Sequence, residues 1–203
     1  MDLQLNDARL NVRSVLLLFR SLQPWAPFLH TLSTTSRGGD GREVAFITYV
    51  EPILCLASLE DVTVVFPEKH MIMGNNDLET IMSSWPMVRS IRFFYIYHRD
   101  APFDDFVPSL DVLSGISWMC PQLRSISIPA WSTPVGTTPL FHEMTPRPDH
   151  PLTTIKSYRM MWRTLRADEV AHSLHECFKN LERPMPMSHA ATRRLVHLLV
   201  SFC

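Results

Sequence analysis

Two nine-residue segments of this chain are close copies of each other: Trp85-Pro86-Met87-Val88-Arg89-Ser90-Ile91-Arg92-Phe93 and Cys120-Pro121-Gln122-Leu123-Arg124-Ser125-Ile126-Ser127-Ile128. Both read Trp/Cys-Pro-x-h-Arg-Ser-Ile-x-h, where h is apolar. A third copy lies at Leu59-Glu60-Asp61-Val62-Thr63-Val64, with weaker ones at Leu29-His30-Thr31-Leu32, at Leu152-Thr153-Thr154-Ile155 and from Leu181. The first apolar residue of each copy falls at 29, 59, 88, 123, 152 and 181, giving spacings of 30, 29, 35, 29 and 29. Random apolar coincidences do not keep that beat. The chain is built from one supersecondary unit used repeatedly, and a unit too small to bury its own apolar face must stack on its neighbours.

Each unit also carries a helix pattern. Leu78, Ile81, Met82 and Trp85 follow the i, i+3, i+4, i+7 spacing of a helix with one buried face. Asn76 with Glu79 predicts a capping box at its start, and Pro86 predicts its end, since the residue before a proline is pushed out of the α region. Leu113, Ile116, Cys120 and Pro121 repeat the arrangement, and Val170, Ala171, Leu174 and Phe178 predict a further helix. Residues 44–56 predict another, shortened or kinked at Pro52. Helix, turn, short strand and loop, repeated, give an α/β chain with short parallel strands on one face and helices on the other. The period sits at the long end of the leucine-rich-repeat range of about 20 to 29 residues. The expected fold is therefore an irregular leucine-rich-repeat solenoid. The usual Asn or Cys eight positions after the first Leu is replaced by Pro67, Ile96 and Trp131, which predicts loops of unequal length and no asparagine ladder.

The expected organisation is an N-terminal amphipathic helix within residues 1–25, with Ala8, Val12, Val15, Phe19 and Leu22 on one side of a helix over 6–22. Degenerate repeats fill 26–187, and a C-terminal helix over 188–203 caps the end. Pro184 stands where the last copy needs an amide donor, so that copy does not extend the sheet centrally.

The two Pro-x-h-Arg-Ser-Ile segments, together with His150-Pro151-Leu152, Glu169-Val170-Ala171 and Phe178-Lys179-Asn180-Leu181, resemble the leucine-rich-repeat region of fungal F-box-like proteins, a divergent group of mushroom-forming fungi. The resemblance covers about residues 25–183 and implies the substrate-recognition part of a cullin-based ubiquitin ligase subunit. Such a subunit docks on the ligase adaptor through an N-terminal F-box. No Leu-Pro-x-Glu start of that motif appears between Met1 and Trp25, so adaptor binding is expected only if an F-box lies outside this chain. The alternative is a truncated or drifting family copy without retained activity.

Composition narrows the function classes. The 203 residues carry a formal net charge of -1, which supplies no global field for nucleic acid or an anionic membrane surface. The 16 prolines against 6 glycines imply stiff loops. The 4 cysteines, Cys55, Cys120, Cys177 and Cys203, form no close pair, so free thiols and a reducing, intracellular compartment are expected. Most of them fall in apolar periodic segments, where a thiol packs as a small hydrophobe. Val15-Leu16-Leu17-Leu18-Phe19 is too short for a membrane span and lacks the flanks of a signal peptide.

No catalytic constellation emerges, so a non-enzymatic, cofactor-free protein is expected. His172, His175 and Cys177 do not share one helix face, and the simpler reading is a polar helix surface. Asp100, Asp104 and Asp105 sit in a proline-containing loop where carboxylates are ordinarily solvated; Phe103 and Phe106 beside them fit a binding loop better. Gly38-Gly39-Asp40-Gly41 lacks the Lys-Ser/Thr of a phosphate loop. The stronger candidate is the strand face. If positions one, four and six of each strand point inward, Glu60, Asp61 and Thr63 line up with Arg89, Ser90 and Arg92, then Arg124, Ser125 and Ser127, then Thr153, Thr154 and Lys156. From these, Glu60, Thr63, Arg89, Arg92, Arg124, Ser127, Thr153 and Lys156, with Phe103 and Phe106, form the expected protein-binding set. The face would run from acidic to basic, the simpler alternative being a solvated strand surface.

Overall fold

A computed structural model of the chain describes residues 1–7, 12–36, 44–97, 106–133, 145–161 and 167–182. The expected C-terminal helix over 188–203, Pro184, the Gly38–41 segment, Phe103 and the aspartates at 100, 104 and 105 lie outside the described residues. Within them, seven strands form one sheet: β1 (Asp2–Asp7), β2 (Thr31–Ser36), β3 (Val44–Ala45), β4 (Asp61–Ile72), β5 (Ser90–Tyr97), β6 (Ser125–Ser132) and β7 (Thr154–Met161). Every pairing is parallel and the order is β1-β2-β4-β5-β6-β7, with the two-residue β3 beside the far end of β4. Five α-helices accompany them: α1 (Val12–Ser21), α2 (Phe46–Val50), α3 (Asn75–Ser84), α4 (Val112–Met119) and α5 (Ala167–Cys177). The chain is α/β.

The register follows the repeat alignment residue by residue. Leu32, Val62, Ile91, Ile126 and Ile155 stand side by side across five strands, and so do Ser33, Thr63, Arg92, Ser127 and Lys156. The inward positions are buried as their spacing requires: Leu59, Val62, Val64, Val88, Ile91, Phe93, Leu123, Ile126 and Ile128 are at most 1% exposed. Leu78, Ile81 and Met82 of α3, with Val112, Leu113 and Ile116 of α4, belong to the same apolar core, which makes a helix layer on one face of the sheet.

The strand starts are tied together by a column of backbone carbonyls. The His30 carbonyl accepts from the amides of Glu60 and Asp61 (2.7 and 3.1 Å), and the Glu60 carbonyl from Arg89 and Ser90 (2.6 and 3.1 Å). The Arg89 carbonyl takes Arg124 and Ser125 (2.8 and 3.1 Å), and that of Arg124 takes Thr153 and Thr154 (2.8 and 3.0 Å). The column reaches both ends: Met1 O receives His30 and Thr31, and Thr153 O receives Glu182 N at 2.9 Å. Leu181 is 4% exposed, so the last copy docks in register with a single ladder bond and no described strand.

A second column runs through side chains at the helix-to-strand junctions. The Trp85 indole donates to Ile53 O (3.2 Å), and the Cys120 thiol reaches Met82 O and Trp85 O (3.1 and 3.6 Å). His150 Nε2 lies 2.9 Å from Cys120 O, and Asn180 Nδ2 donates to His150 O at 3.1 Å. Leu152 N–H donates to His150 Nδ1, which fixes Nε2 as the protonated nitrogen. Four different donors, Trp85, Cys120, His150 and Asn180, thus make one column from unit to unit.

The N-terminus departs from expectation. Residues 2–7 are a strand beside β2, and the helix described after it is α1 at Val12–Ser21. The alternation Asp2-Leu3-Gln4-Leu5-Asn6 is a strand period, and Leu3 pairs with Leu32 and packs against the core. Pairing to the edge of β2 gives these residues backbone hydrogen bonds and places Leu3 against the core at the same time. The helix expected over 44–56 is β3, the short α2, and a 3-10 turn at Glu51–Ile53 that places Pro52 where its missing amide costs nothing. At α3 the cap is Gly74, whose amide donates to Asp77 at 3.1 Å, so the reciprocal carboxylate is Asp77 and not Glu79.

Trp85→Phe keeps most of the buried area but loses the indole donor, for an expected loss of about 1 kcal/mol. Trp85→Ala opens a cavity and costs about 3–5 kcal/mol in urea unfolding. Burial holds the His150 pKa below its ordinary 6.5, aided by nearby Arg147 and opposed by the bond to Cys120 O. The unfolded chain therefore binds the extra proton first, so stability is flat above 6.5 and falls as pH drops toward the folded-state pKa. Denaturation midpoints at about pH 7.5 and about pH 5.5 should differ less in His150→Gln than in the wild type.

Candidate functional site

The strand period divides the expected binding residues into two rows. Glu60, Arg89, Arg124 and Thr153 precede their strands and form a rim, their carbonyls being the column that ties the units together. Thr63, Arg92, Ser127 and Lys156 lie within the strands on the open face, away from the helices. The next row outward is Val65 beside Phe94, then Pro129, then Tyr158. Phe94 and Tyr158 meet edge to face across β6, ring centroids 5.0 Å apart.

The rim is partly self-neutralised. Glu60 Oε2 pairs with Arg89 Nη1 at 3.0 Å, and its Oε1 lies 3.6 Å from His30 Nδ1. Arg89 Nε also donates to Gln122 Oε1 at 3.4 Å. The Thr153 hydroxyl donates to Arg124 O at 3.1 Å. Glu60, Arg89 and Thr153 thus serve first to join neighbouring units. Arg92, Arg124 and Lys156 have no acidic partner among the described residues. On the open face Asp61 stands on β4, with Arg92 on β5 and Lys156 on β7.

Between β5 and β7 the face sinks into an open hollow of about 90 Å³ lined by Ser90, Arg92, Ser125, Ser127, Lys156 and Tyr158. It lies over the stretch where β5 and β6 are paired, Ser90–Arg92 against Ser125–Ser127, and that pairing ends there, whereas β6 and β7 stay paired to Ser132 and Met161. Pro129, which has no amide to donate, follows two residues later. Its carbonyl takes the Ser157 hydroxyl at 3.2 Å, which is how a polar residue is accommodated at an inward position. The structure therefore brings Arg92, Ser127 and Lys156 into one site. It does not bring Glu60, Arg89, Arg124 or Thr153 there, and Phe106 sits elsewhere, its carbonyl receiving Met73 N at 3.4 Å. Tyr158 and Phe94 escape the motif because they lie one alternation beyond it; carrying the two-residue period further along β5 and β7 finds them.

The described thiols and imidazoles differ in their surroundings. Cys120 is buried and its pKa is pushed up to about 12 by desolvation, so it is a packed, protonated thiol. Cys177 is half-buried, with its pKa raised by burial and by Glu176, whereas Cys55 is exposed rather than packed. His172 makes an exposed i, i+4 pair with Glu176 at 3.0 Å. Among the described residues no three His, Cys, Asp or Glu side chains converge on one point, and no helix is long and apolar enough to cross a membrane. Comparison of the chain with protein-family models, curated proteins and solved structures gives no match.

The Glu60–Arg89 pair is part-exposed, so solvent screening keeps its contribution small. A double-mutant cycle with Glu60→Gln and Arg89→Gln should give a coupling of about 0.5 kcal/mol, measured by thermal or urea unfolding.

Proposed function

We propose that the chain is an irregular leucine-rich-repeat solenoid that works as a non-enzymatic protein-binding module, and that its open strand face, centred on Arg92, Ser127 and Lys156, is the surface presented to a protein partner. The observation that carries this reading is the in-register row of outward residues, in which two cations on β5 and β7 lack acidic partners among the described residues. Inward positions are consumed by packing, so the outward rows are free to be chosen for recognition. Arg offers a planar fork of donors, and the neighbouring Phe94–Tyr158 pair supplies apolar area of the kind that anchors interfaces.

The sequence resemblance extends the proposal one step: the partner would be a substrate recruited as by the F-box subunit of a cullin-based ubiquitin ligase, with adaptor docking supplied by a segment outside this chain. The 29-residue beat and the two Pro-x-h-Arg-Ser-Ile motifs support that extension.

The test is capture from a lysate of a mushroom-forming fungus with the immobilised full chain, compared with the double variant Arg92→Glu, Lys156→Glu. Surface substitutions of this kind cost about 0.5 kcal/mol or less, so the variant should melt like the wild type while losing at least one captured protein. An identical set of captured proteins would reject the open face as the binding surface. Ligase subunits among them would support the extended reading; their absence would confine the proposal to the binding module.

A further inference from the structure

We propose that the hollow between β5 and β7 is a site for a phosphate monoester. The proposal rests on reading the open face as the working surface, and on nothing in the ligase resemblance. Three serines, Ser90, Ser125 and Ser127, stand on two adjacent strands in direct register (Ser90 beside Ser125, Arg92 beside Ser127), and Lys156 flanks Ser127 from the other side. All four residues line the same concavity with Arg92 and Tyr158.

Charge and donor count select the ligand. Among the described residues neither Arg92 nor Lys156 is paired with a carboxylate, and the three serine hydroxyls have no hydrogen-bond partner there. Asp61 lies beside Ser90 on β4 but is exposed and does not line the hollow; Glu60, on the rim, is already held by Arg89 and His30. Two uncompensated cations match a group of charge about -1.5 to -2, and three rotatable hydroxyls match three terminal oxygens. A carboxylate would satisfy one cation and leave the other unmatched. Strands about 4.8 Å apart place the backbones of Arg92 and Lys156 about 10 Å from each other, a span their long side chains close around a tetrahedral group. A volume of about 90 Å³ holds several water-sized atoms, enough for that group. The fork of Arg92 can take two oxygens at once while Lys156 acts as a point charge. Tyr158, with Phe94 against it, provides an apolar shoulder for whatever carries the ester.

Isothermal titration of the full chain with a blocked phosphoserine tripeptide, its unphosphorylated form and inorganic phosphate tests the assignment. The phosphopeptide should bind saturably and the unphosphorylated peptide should not. Binding should strengthen from about pH 5 to about pH 7 as the second phosphate proton leaves. Arg92→Gln and Lys156→Gln should each weaken it about tenfold, while Arg124→Gln, an unpaired cation outside the hollow, should leave it unchanged. Ser127→Ala, a near-isosteric change, should weaken it by a few fold with an unchanged melting temperature. Inorganic phosphate binding as tightly as the peptide supports the site and assigns a free anion; tighter peptide binding supports it and assigns a chain-borne ester. Absence of saturable binding by both, or equal weakening by Arg124→Gln, overturns the proposal. A chain that captures proteins through Arg92 and Lys156 yet ignores the monoester keeps the binding-module reading and loses this one.

Discussion

The backbone carbonyls at His30, Glu60, Arg89, Arg124 and Thr153 are the constraint on which the remaining structure depends. Four of them accept two successive amides from the following unit, so the starts of β4, β5, β6 and β7 are fixed by backbone bonds alone. Because the two amides come from adjacent residues, a slip by one position would break the doubled bond and turn every outward side chain into the core. The steady beat of apolar residues is the sequence trace of that requirement. A unit may gain residues, as between 88 and 123, only where the column does not feel them.

That explains where the irregularity collects. At the strand starts the register is unbroken from β2 to β7; at the far ends it fails, with a shift between Phe66 and His70 on β4 and early loss of pairing between β5 and β6. The side-chain column of Trp85, Cys120, His150 and Asn180 holds the helix-to-strand side of the units, and its tolerance of four chemistries follows from what it must do. Each rung needs one donor that reaches the carbonyl of the preceding rung, and indole, thiol, imidazole and amide all supply one. A repeat signature written as asparagine misses it, whereas the residue before Pro86, Pro121 and Pro151 marks three of the four rungs.

The parts of the fold that could be read from sequence are those governed by a short period. Inward Val62, Ile91 and Ile126, the helix faces of Leu78 and Ile81, and the alignment of Arg92 with Ser127 and Lys156 all follow from counting. The strand at 2–7 was harder because Leu3 and Leu5 make a single alternation, while the longer apolar spacing from Ala8 to Leu22 invites a helix to be extended back over Asn6. Its strand state is decided by the waiting edge of β2, a tertiary fact. Likewise Glu60, Arg89 and Thr153 look like surface recognition residues in sequence, but each is engaged by a neighbour one unit away, a pairing that appears only when the units are stacked.

Stacking also separates what can vary from what cannot. An inward substitution such as Ile126→Ala removes contacts in two adjoining units and costs about 2–5 kcal/mol, whereas an outward change at the same strand stays within about 0.5 kcal/mol. The open face can therefore be rewritten residue by residue while the columns behind it stay intact. On this background an uncompensated charge carries information. A surface kept merely soluble would intersperse its signs, as Glu60, Arg89 and His30 do on the rim. Arg92 and Lys156 instead stand two strands apart beside the hydroxyls of Ser90, Ser125 and Ser127, where β5 and β6 are paired. The fixed strand starts, which set Ser90, Arg92, Ser125 and Ser127 side by side, bring the two cations to one hollow.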